Sequence, residues 1–323
     1  MKKFKENVPL AKFSHYAIGG PARYFFAARS EAEVKWALRE AKRRKLGVFV
    51  LGGGTNILVR DAGFDGLVLR LELKRMSGSG SRIVAGAGVM MADLLTRATG
   101  RSLSGLEWAG GLPGTVGGAV RGNAGCFGGE MKDSVRAVRS IDTRTMKIVT
   151  RPAARCGFGY RDSIFKKKNG TEIVLSAAFV LAKGNKTDIA KVIRERIRYR
   201  AERHPLEHPN IGSIFKNVPL HAIHKKGSGA YARAVAKRSL AYRGASFSVK
   251  TDPFPVLSAG RMIAEAGLSG VSNGGAMFSP KHPNFIVNAL GAEAKDVASL
   301  IALAKAEVRR RFGVALEEEV QLL

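Results

Sequence analysis

The sequence predicts an α+β protein of about two domains, and three observations carry that prediction. Short apolar strand patterns and amphipathic helical patterns are mixed along 323 residues without a strict alternation. Two glycine-rich stretches, "LGGGTN" at 51–56 and "AGGLPGTVGG" at 109–118, interrupt them. A long helical pattern near the end gives way to a short alternating segment, "VALEEEVQLL".

Each element follows from local signals. Ser30 and Glu33 have the spacing of a capping box, and Val34, Ala37, Leu38 and Ala41 then recur at helical spacing. That helix runs into "GVFVLGGG", a strand that breaks into glycines. "GLVLRL" (66–71) and "RIVAGAGV" (82–89) read as strands, and "MADLLTRAT" reads as a helix. Residues 105–130 are too rich in glycine to be regular structure. "SVRAVRSID", "MKIVTR" and "EIVLSAAFVLA" read as strands. Ile189, Ile193, Ile197 and Ala201 form one stripe of a helix that stops before Pro205. A domain boundary is expected near "RHPLEHPN". Beyond it, "SAGRMIAEAG" is a helix closed by Gly267, and "NFIVNAL" is a strand. Val297, Leu300, Ile301, Ala304 and Val308 share one face of a helix that stops near Gly313. In the closing segment Val314, Leu316, Val320 and Leu322 alternate on one side, with Glu318 as the interruption. Glu317 and Glu319 point to the other side.

Composition narrows the function classes. No apolar run reaches the roughly 18–20 residues of a membrane span. The start, "MKKFKENVPL", has no apolar stretch behind its lysines, so a secretory signal is not expected. Cys126 and Cys156 match no zinc spacing, and free thiols in a reducing cytoplasm are expected. No metal site is expected. The net charge is +28, which points to nucleic acid, an acidic membrane face or anionic small molecules. One segment, 208–251, holds no Asp or Glu but carries Lys216, Lys225, Lys226, Arg233, Lys237, Arg238, Arg243 and Lys250. This acid-free segment is the candidate for a disordered insertion.

The glycines are the strongest chemical signal. Backbone N–H groups cradle a diphosphate only where side chains leave room. Gly52, Gly53, Gly54, Thr55 and Asn56 at the end of a strand suit such a nest. It is not the dinucleotide fingerprint, because Ile57 stands where the third glycine belongs, and no Gly-Lys pair makes a phosphate loop of the nucleoside-triphosphatase kind. Gly110, Gly111, Gly114, Gly117 and Gly118, around Pro113 and Thr115, form a second loop. Two such loops can grip two ends of a long dinucleotide such as a flavin cofactor.

The motifs "HYAIGGPARYF", "LGGGTNILVRDAGFDGLVL", "GLEWAGGLPGTVGGAVRGNAG", "GYRDSIFK", "GSIFKN", "SPKHPNFIVN" and "LEEEV" run in this order over nearly the whole chain. In this the sequence resembles the UDP-N-acetylenolpyruvoylglucosamine reductases, in their compact second type. The resemblance implies an FAD-binding domain of the vanillyl-alcohol-oxidase type in two subdomains, 1–72 and 73–206, with the C-terminal strand 314–323 returning to the first. It implies a substrate domain at 207–313. It also implies non-covalent FAD, NADPH as electron donor and UDP-N-acetylglucosamine enolpyruvate as substrate, for a monomeric cytoplasmic enzyme of peptidoglycan synthesis.

Residue by residue, the resemblance makes Arg161, Ser213 and Glu319 the catalytic set. Arg161 faces a carboxylate or enolate, Ser213 donates the proton, and Glu319 assists at the enolate. Alternation alone does not choose Glu319 over Glu317. The FAD residues implied are Gly52, Gly53, Gly54, Thr55, Asn56, Gly110, Pro113, Gly114, Thr115, Gly117, Gly118, Asn123 and Gly125. Tyr160, Lys216 and Asn217 match substrate positions. Arg121 and Gly122 stand where the family commonly has an apolar residue and methionine, Phe127 replaces a common tyrosine, and the basic stretch 218–248 has no counterpart there, which makes it a basic insertion, either a mobile flap over the anionic UDP-sugar or a surface addition. Two other readings remain open at this stage. One is a sugar or alcohol oxidase of the same fold. The other is a nucleic-acid-binding protein, suggested by the charge but supported by no binding module.

Overall fold

The computed structural model describes residues 2–167, 171–251 and 254–323. It divides into two compact units. The first comprises Met1–Pro9, Pro21–Gly54 and Gly63–Glu202, and the second Leu10–Gly20, Thr55–Ala62 and Arg203–Leu323.

In the first unit, the strand signals resolve into two sheets. One runs in the order Lys5–Pro9, Pro21–Ala28, Phe64–Leu71, Val48–Leu51, with the first pair antiparallel and the rest parallel. The helix Glu31–Arg43 packs on it and buries Val34, Ala37, Leu38 and Ala41, the positions its periodicity marks. Its start is tied down twice. Ser30 Oγ accepts the Glu33 N–H at 3.2 Å, and the Glu33 carboxylate accepts the Arg29 N–H at 2.7 Å. The other sheet is antiparallel, in the order Ile148–Pro152, Val135–Asp142, Glu172–Val180, Arg82–Gly86, Met76–Ser77. Helix Met91–Gly100 contributes Met91, Leu94, Leu95 and Ala98 to the same core.

The glycine-rich stretch is more ordered than its composition predicts. It holds the seven-residue helix Val116–Gly122 and a short hairpin of Gly125–Cys126 with Gly129–Glu130. Intrinsic propensity disfavours helix here, but Val116, Ala119 and Val120 are buried, and tertiary packing overrides the local preference. The helix Lys186–Arg203 uses its apolar stripe only in part: Ile189 is buried while Ile197 is 48% exposed.

The second unit has a four-stranded sheet in the order Val218–Pro219, Val256–Leu257, Ala245–Lys250, Ser239–Tyr242. A three-stranded sheet of Ser272–Asn273, Ala276–Phe278 and Ile286–Asn288 accompanies it. The helix Ala294–Phe312 buries the stripe of Val297, Leu300, Ile301, Ala304 and Val308 and stops at Gly313, whose φ is +68°. Asp61 accepts the N–H groups of Ala294 and Lys295 at 2.8 and 3.1 Å and so caps that helix.

Two expectations change here. The basic segment 218–248 is not a loose insertion: Val218, Leu220, Ala234, Leu240, Ala245 and Phe247 are buried in the core of this unit. The C-terminal strand, Gln321–Leu322, pairs in parallel with Ile57–Leu58, within residues 1–72, and both strands lie in the second unit. Of the alternating closing residues, Val314, Leu316 and Val320 are buried but Leu322 is 53% exposed.

Candidate active site

In the first unit the two glycine stretches meet. A Cβ on Gly53 would stand 2.8 Å from the Gly114 Cα, and one on Gly52 would stand 2.8 Å from Thr115 Oγ1. What comes so close to this backbone is the other glycine loop. Gly54 then turns the chain at φ +67°. Buried Thr115 caps the Val116–Gly122 helix by accepting the Gly118 N–H at 3.5 Å. Gly117 lets that helix lie against Ala87, where an added Cβ would meet the Ala87 Cβ at 2.8 Å. Pro113 and Gly118 are exposed. Among the described residues, no acceptor takes the N–H groups of Gly52, Gly53, Gly54, Gly114 or Thr115. This side-chain-free, donor-rich surface fits the diphosphate of a dinucleotide, so the residues present suit FAD.

Three of the expected cofactor residues are engaged in packing. An added Cβ on Gly110 would stand 2.8 Å from the Ile193 carbonyl oxygen, and the Gly110 carbonyl accepts from Arg200 Nε at 2.9 Å. At Gly125 it would stand 2.6 Å from Glu130 Cγ. Asn123 is fully buried, with φ +43°. Its Oδ1 accepts the Lys132 N–H at 3.0 Å, and its Nδ2 donates to Glu130 Oε2 at 3.0 Å and to the Gly159 carbonyl at 2.8 Å.

That last bond ties the second glycine loop to the turn carrying Tyr160 and Arg161. Gly159 and Asp162 exchange two backbone hydrogen bonds, at 2.9 and 3.1 Å, across it. Arg161 sits at φ +54°, a strained conformation for a non-glycine residue. Its guanidinium carbon lies 5.5 Å from the Tyr160 ring centroid. Two further arginines gather near the hairpin. Arg196 and Arg200 lie over the Phe127 ring at 4.6 and 5.3 Å, and Arg200 Nη2 donates to Cys126 Sγ at 2.9 Å. Burial pushes the Cys126 thiol up, against the opposing charges of Arg200, Arg161 and Arg196. The sequence reading missed Arg196 and Arg200, because on their helix it followed only the apolar stripe.

In the second unit, the segment with Ser213 runs antiparallel to the segment with Glu319. Phe215 and Glu318 form the bridge, the Glu319 N–H donates to the Ile214 carbonyl at 2.8 Å, and the Lys216 N–H donates to the Glu317 carbonyl at 2.9 Å. The acidic run is thereby differentiated. Glu317 is 71% exposed at its side chain and pairs with Lys216, Glu318 pairs with Lys305 at 3.0 Å, and Glu319 is half-buried. Thr55 is half-buried, and Asn56 Nδ2 donates to the Glu319 carbonyl at 3.1 Å. Asn217 Oδ1 accepts the Ala259 N–H at 3.3 Å. Asn284, which the sequence reading left without a role, is buried and clamps both backbone groups of Phe215. His282 is half-buried against His204 and Phe285, and burial lowers its pKa. Among the described residues, no three His, Cys, Asp or Glu side chains converge as a metal site, and no helix is long and apolar enough to cross a membrane.

Comparison with known proteins adds two family matches and close full-length relatives. Residues 22–150 match the family described as FAD binding domain, and residues 204–323 match the C-terminal domain of UDP-N-acetylenolpyruvoylglucosamine reductase. The chain is 35% identical to the UDP-N-acetylenolpyruvoylglucosamine reductase of Solibacter usitatus, over 98% of this chain and 95% of that one. It is 37% identical to the enzyme of that name from Carboxydothermus hydrogenoformans, over 98% of this chain and 93% of that one. The crystal structure of UDP-N-acetylenolpyruvylglucosamine reductase from Thermus caldophilus superposes with a TM-score of 0.75 at 30% identity, covering 99% of both chains.

Proposed function

The chain belongs to the UDP-N-acetylenolpyruvoylglucosamine reductase family, and from that premise we propose that Arg161, Ser213 and Glu319 carry its chemistry. It is an FAD-dependent oxidoreductase of peptidoglycan precursor synthesis, reducing the enolpyruvyl group of UDP-N-acetylglucosamine enolpyruvate to give UDP-N-acetylmuramate. NADPH is the electron donor in this reading, and the enzyme works as a cytoplasmic monomer without nucleic acid. FAD, when bound, accepts electrons from NADPH and supplies them to the substrate as hydride. Residues 1–72 and 73–206 serve the cofactor and 207–313 the UDP-sugar, with 10–20 and 55–62 packed into the second unit.

The substrate must gain a hydride at its methylene carbon and a proton at the carbon bearing its carboxylate. Ser213 gives that proton from Oγ, which makes no hydrogen bond among the described residues. Arg161 presents a planar fork of donors to the carboxylate as negative charge builds on it. Glu319, on the segment beside Ser213, assists at the enolate. Gly52, Gly53, Gly54, Thr55, Asn56, Pro113, Gly114, Thr115, Gly117 and Gly118 hold FAD, while Gly110, Asn123 and Gly125 shape its loop. Tyr160, Lys216 and Asn217 contact the UDP-sugar.

The observation that carries this reading is the backbone pairing that sets the Ser213 segment beside the Glu319 segment. Its test is the absorption spectrum of the purified protein, followed anaerobically. The expected result is oxidised-flavin bands that bleach with NADPH and return on adding the enolpyruvyl UDP-sugar. A colourless protein unable to take up added FAD would overturn it.

A further inference from the structure

We propose that Asn284 is the positioning residue of the proton donor, fixing the backbone on which Ser213 stands. The proposal rests on the reading of Ser213 given above.

Ser213 is weakly held from its N-terminal side. Gly212 precedes it at φ +83°, in open space, and among the described residues is anchored by one bond, from its N–H to Asn210 Oδ1 at 3.1 Å. The next two residues are held firmly. The Asn284 carbonyl accepts the Ile214 N–H at 2.8 Å, Asn284 Oδ1 accepts the Phe215 N–H at 3.0 Å, and Asn284 Nδ2 donates to the Phe215 carbonyl at 2.8 Å. On the other edge, Ile214 and Lys216 bond to the Glu319 segment. The donor segment is therefore clasped from two sides, by Glu319's segment and by one asparagine.

The residue type is dictated by the bonds. A primary amide offers an acceptor and a donor side by side, so it imitates the edge of a neighbouring strand for a single residue. Aspartate has the same shape but no N–H, and it would set a carboxylate oxygen against the Phe215 carbonyl. Asn284 is itself immobilised. It is 3% exposed, and a Cβ added at Gly260, in the helix Ala259–Glu265, would stand 3.3 Å from the Asn284 Cβ.

A displacement of the donor by about 1 Å costs on the order of 10²-fold in rate. The test is anaerobic stopped-flow spectroscopy of both half-reactions with Asn284→Asp, Ser213→Ala and the double variant, each loaded with FAD. Asn284→Asp is expected to leave bleaching by NADPH within about 2-fold of wild type and to slow the return of the oxidised band with UDP-sugar by about 10²-fold. The double variant is expected to be no slower than Ser213→Ala alone, because both changes remove one proton transfer. If Asn284→Asp yields no flavoprotein, Gly260→Ala presses on Asn284 more gently, and it should slow the same half-reaction by a smaller factor. Equal slowing of both half-reactions, or additive effects in the double variant, would mean that Asn284 merely supports the fold and would overturn the proposal. A Ser213→Ala variant with an undiminished second half-reaction would instead sink the assignment of Ser213 itself.

Discussion

At the scale of single residues, glycine at 53 has a reason the sequence alone does not disclose. The neighbour a side chain would strike is backbone, the Gly114 Cα at 2.8 Å, and backbone cannot swing aside as a flexible side chain can. Gly53→Ala is therefore expected to push the two glycine loops apart. Purified Gly53→Ala should carry less FAD per chain than wild type and melt at a lower temperature, as read by the flavin-to-protein absorbance ratio and a thermal scan. Full flavin occupancy with unchanged melting would show that the loops yield freely. The sequence made the glycines visible as access for a ligand but hid their second duty, since loop-to-loop contact is non-local. Asn123 shows the same limit. It stands in a cofactor motif, yet its amide is spent on Lys132, Glu130 and Gly159. Glu319 is the opposite case: alternation left it equal to Glu317, and burial tells the two apart, since Glu317 is exposed and Glu319 is half-buried.

At the scale of elements, amphipathic helices were legible and composition-biased segments were not. Helices Glu31–Arg43 and Ala294–Phe312 bury the residues their periodicity marks, because one solvated face and one core face leave an imprint at period 3.6. The helix Val116–Gly122 leaves no such imprint, since glycines at 117, 118 and 122 mask it. The basic segment misled for a related reason. Its charges dominate its composition, while its core residues alternate along a strand: Ala245, Phe247 and Val249 are buried between exposed Ser246, Ser248 and Lys250. Phe247 meets Phe312 edge-on, with ring centroids 5.5 Å apart. Phe247→Ala is expected to lower unfolding stability by about 3–5 kcal/mol, the range for a fully buried phenylalanine. A urea titration measures this, and a loss below about 1 kcal/mol would return the segment to the status of a surface appendage.

At the scale of the whole molecule, the role of the +28 charge is tested by neutralising side chains rather than by deleting the basic segment. Removing 218–248 would remove core residues and report on folding. Neutralising exposed side chains separates charge from fold. Lys225, Lys226, Lys237 and Arg238 are exposed and take no part in an ion pair among the described residues. Their replacement by glutamine is expected to lower kcat/KM for the anionic UDP-sugar at low ionic strength. The difference should close as salt shortens the screening length from about 30 Å at 0.01 M towards about 3 Å at 1 M. Identical salt profiles for variant and wild type would assign the segment to solvation alone.

The polypeptide passes between the two units after residues 9, 20, 54, 62 and 202. This routing has a consequence for synthesis. The second unit is assembled from two early fragments and a late one. While the ribosome is still making the long middle stretch, 10–20 and 55–62 have already emerged without their partners. Tyr16, whose hydroxyl finally donates to the Ile286 carbonyl, waits for that acceptor through the synthesis of the 270 positions that separate them. The nascent chain thus carries apolar and polar groups whose destination does not yet exist, and the second unit closes only once 203–323 has been made.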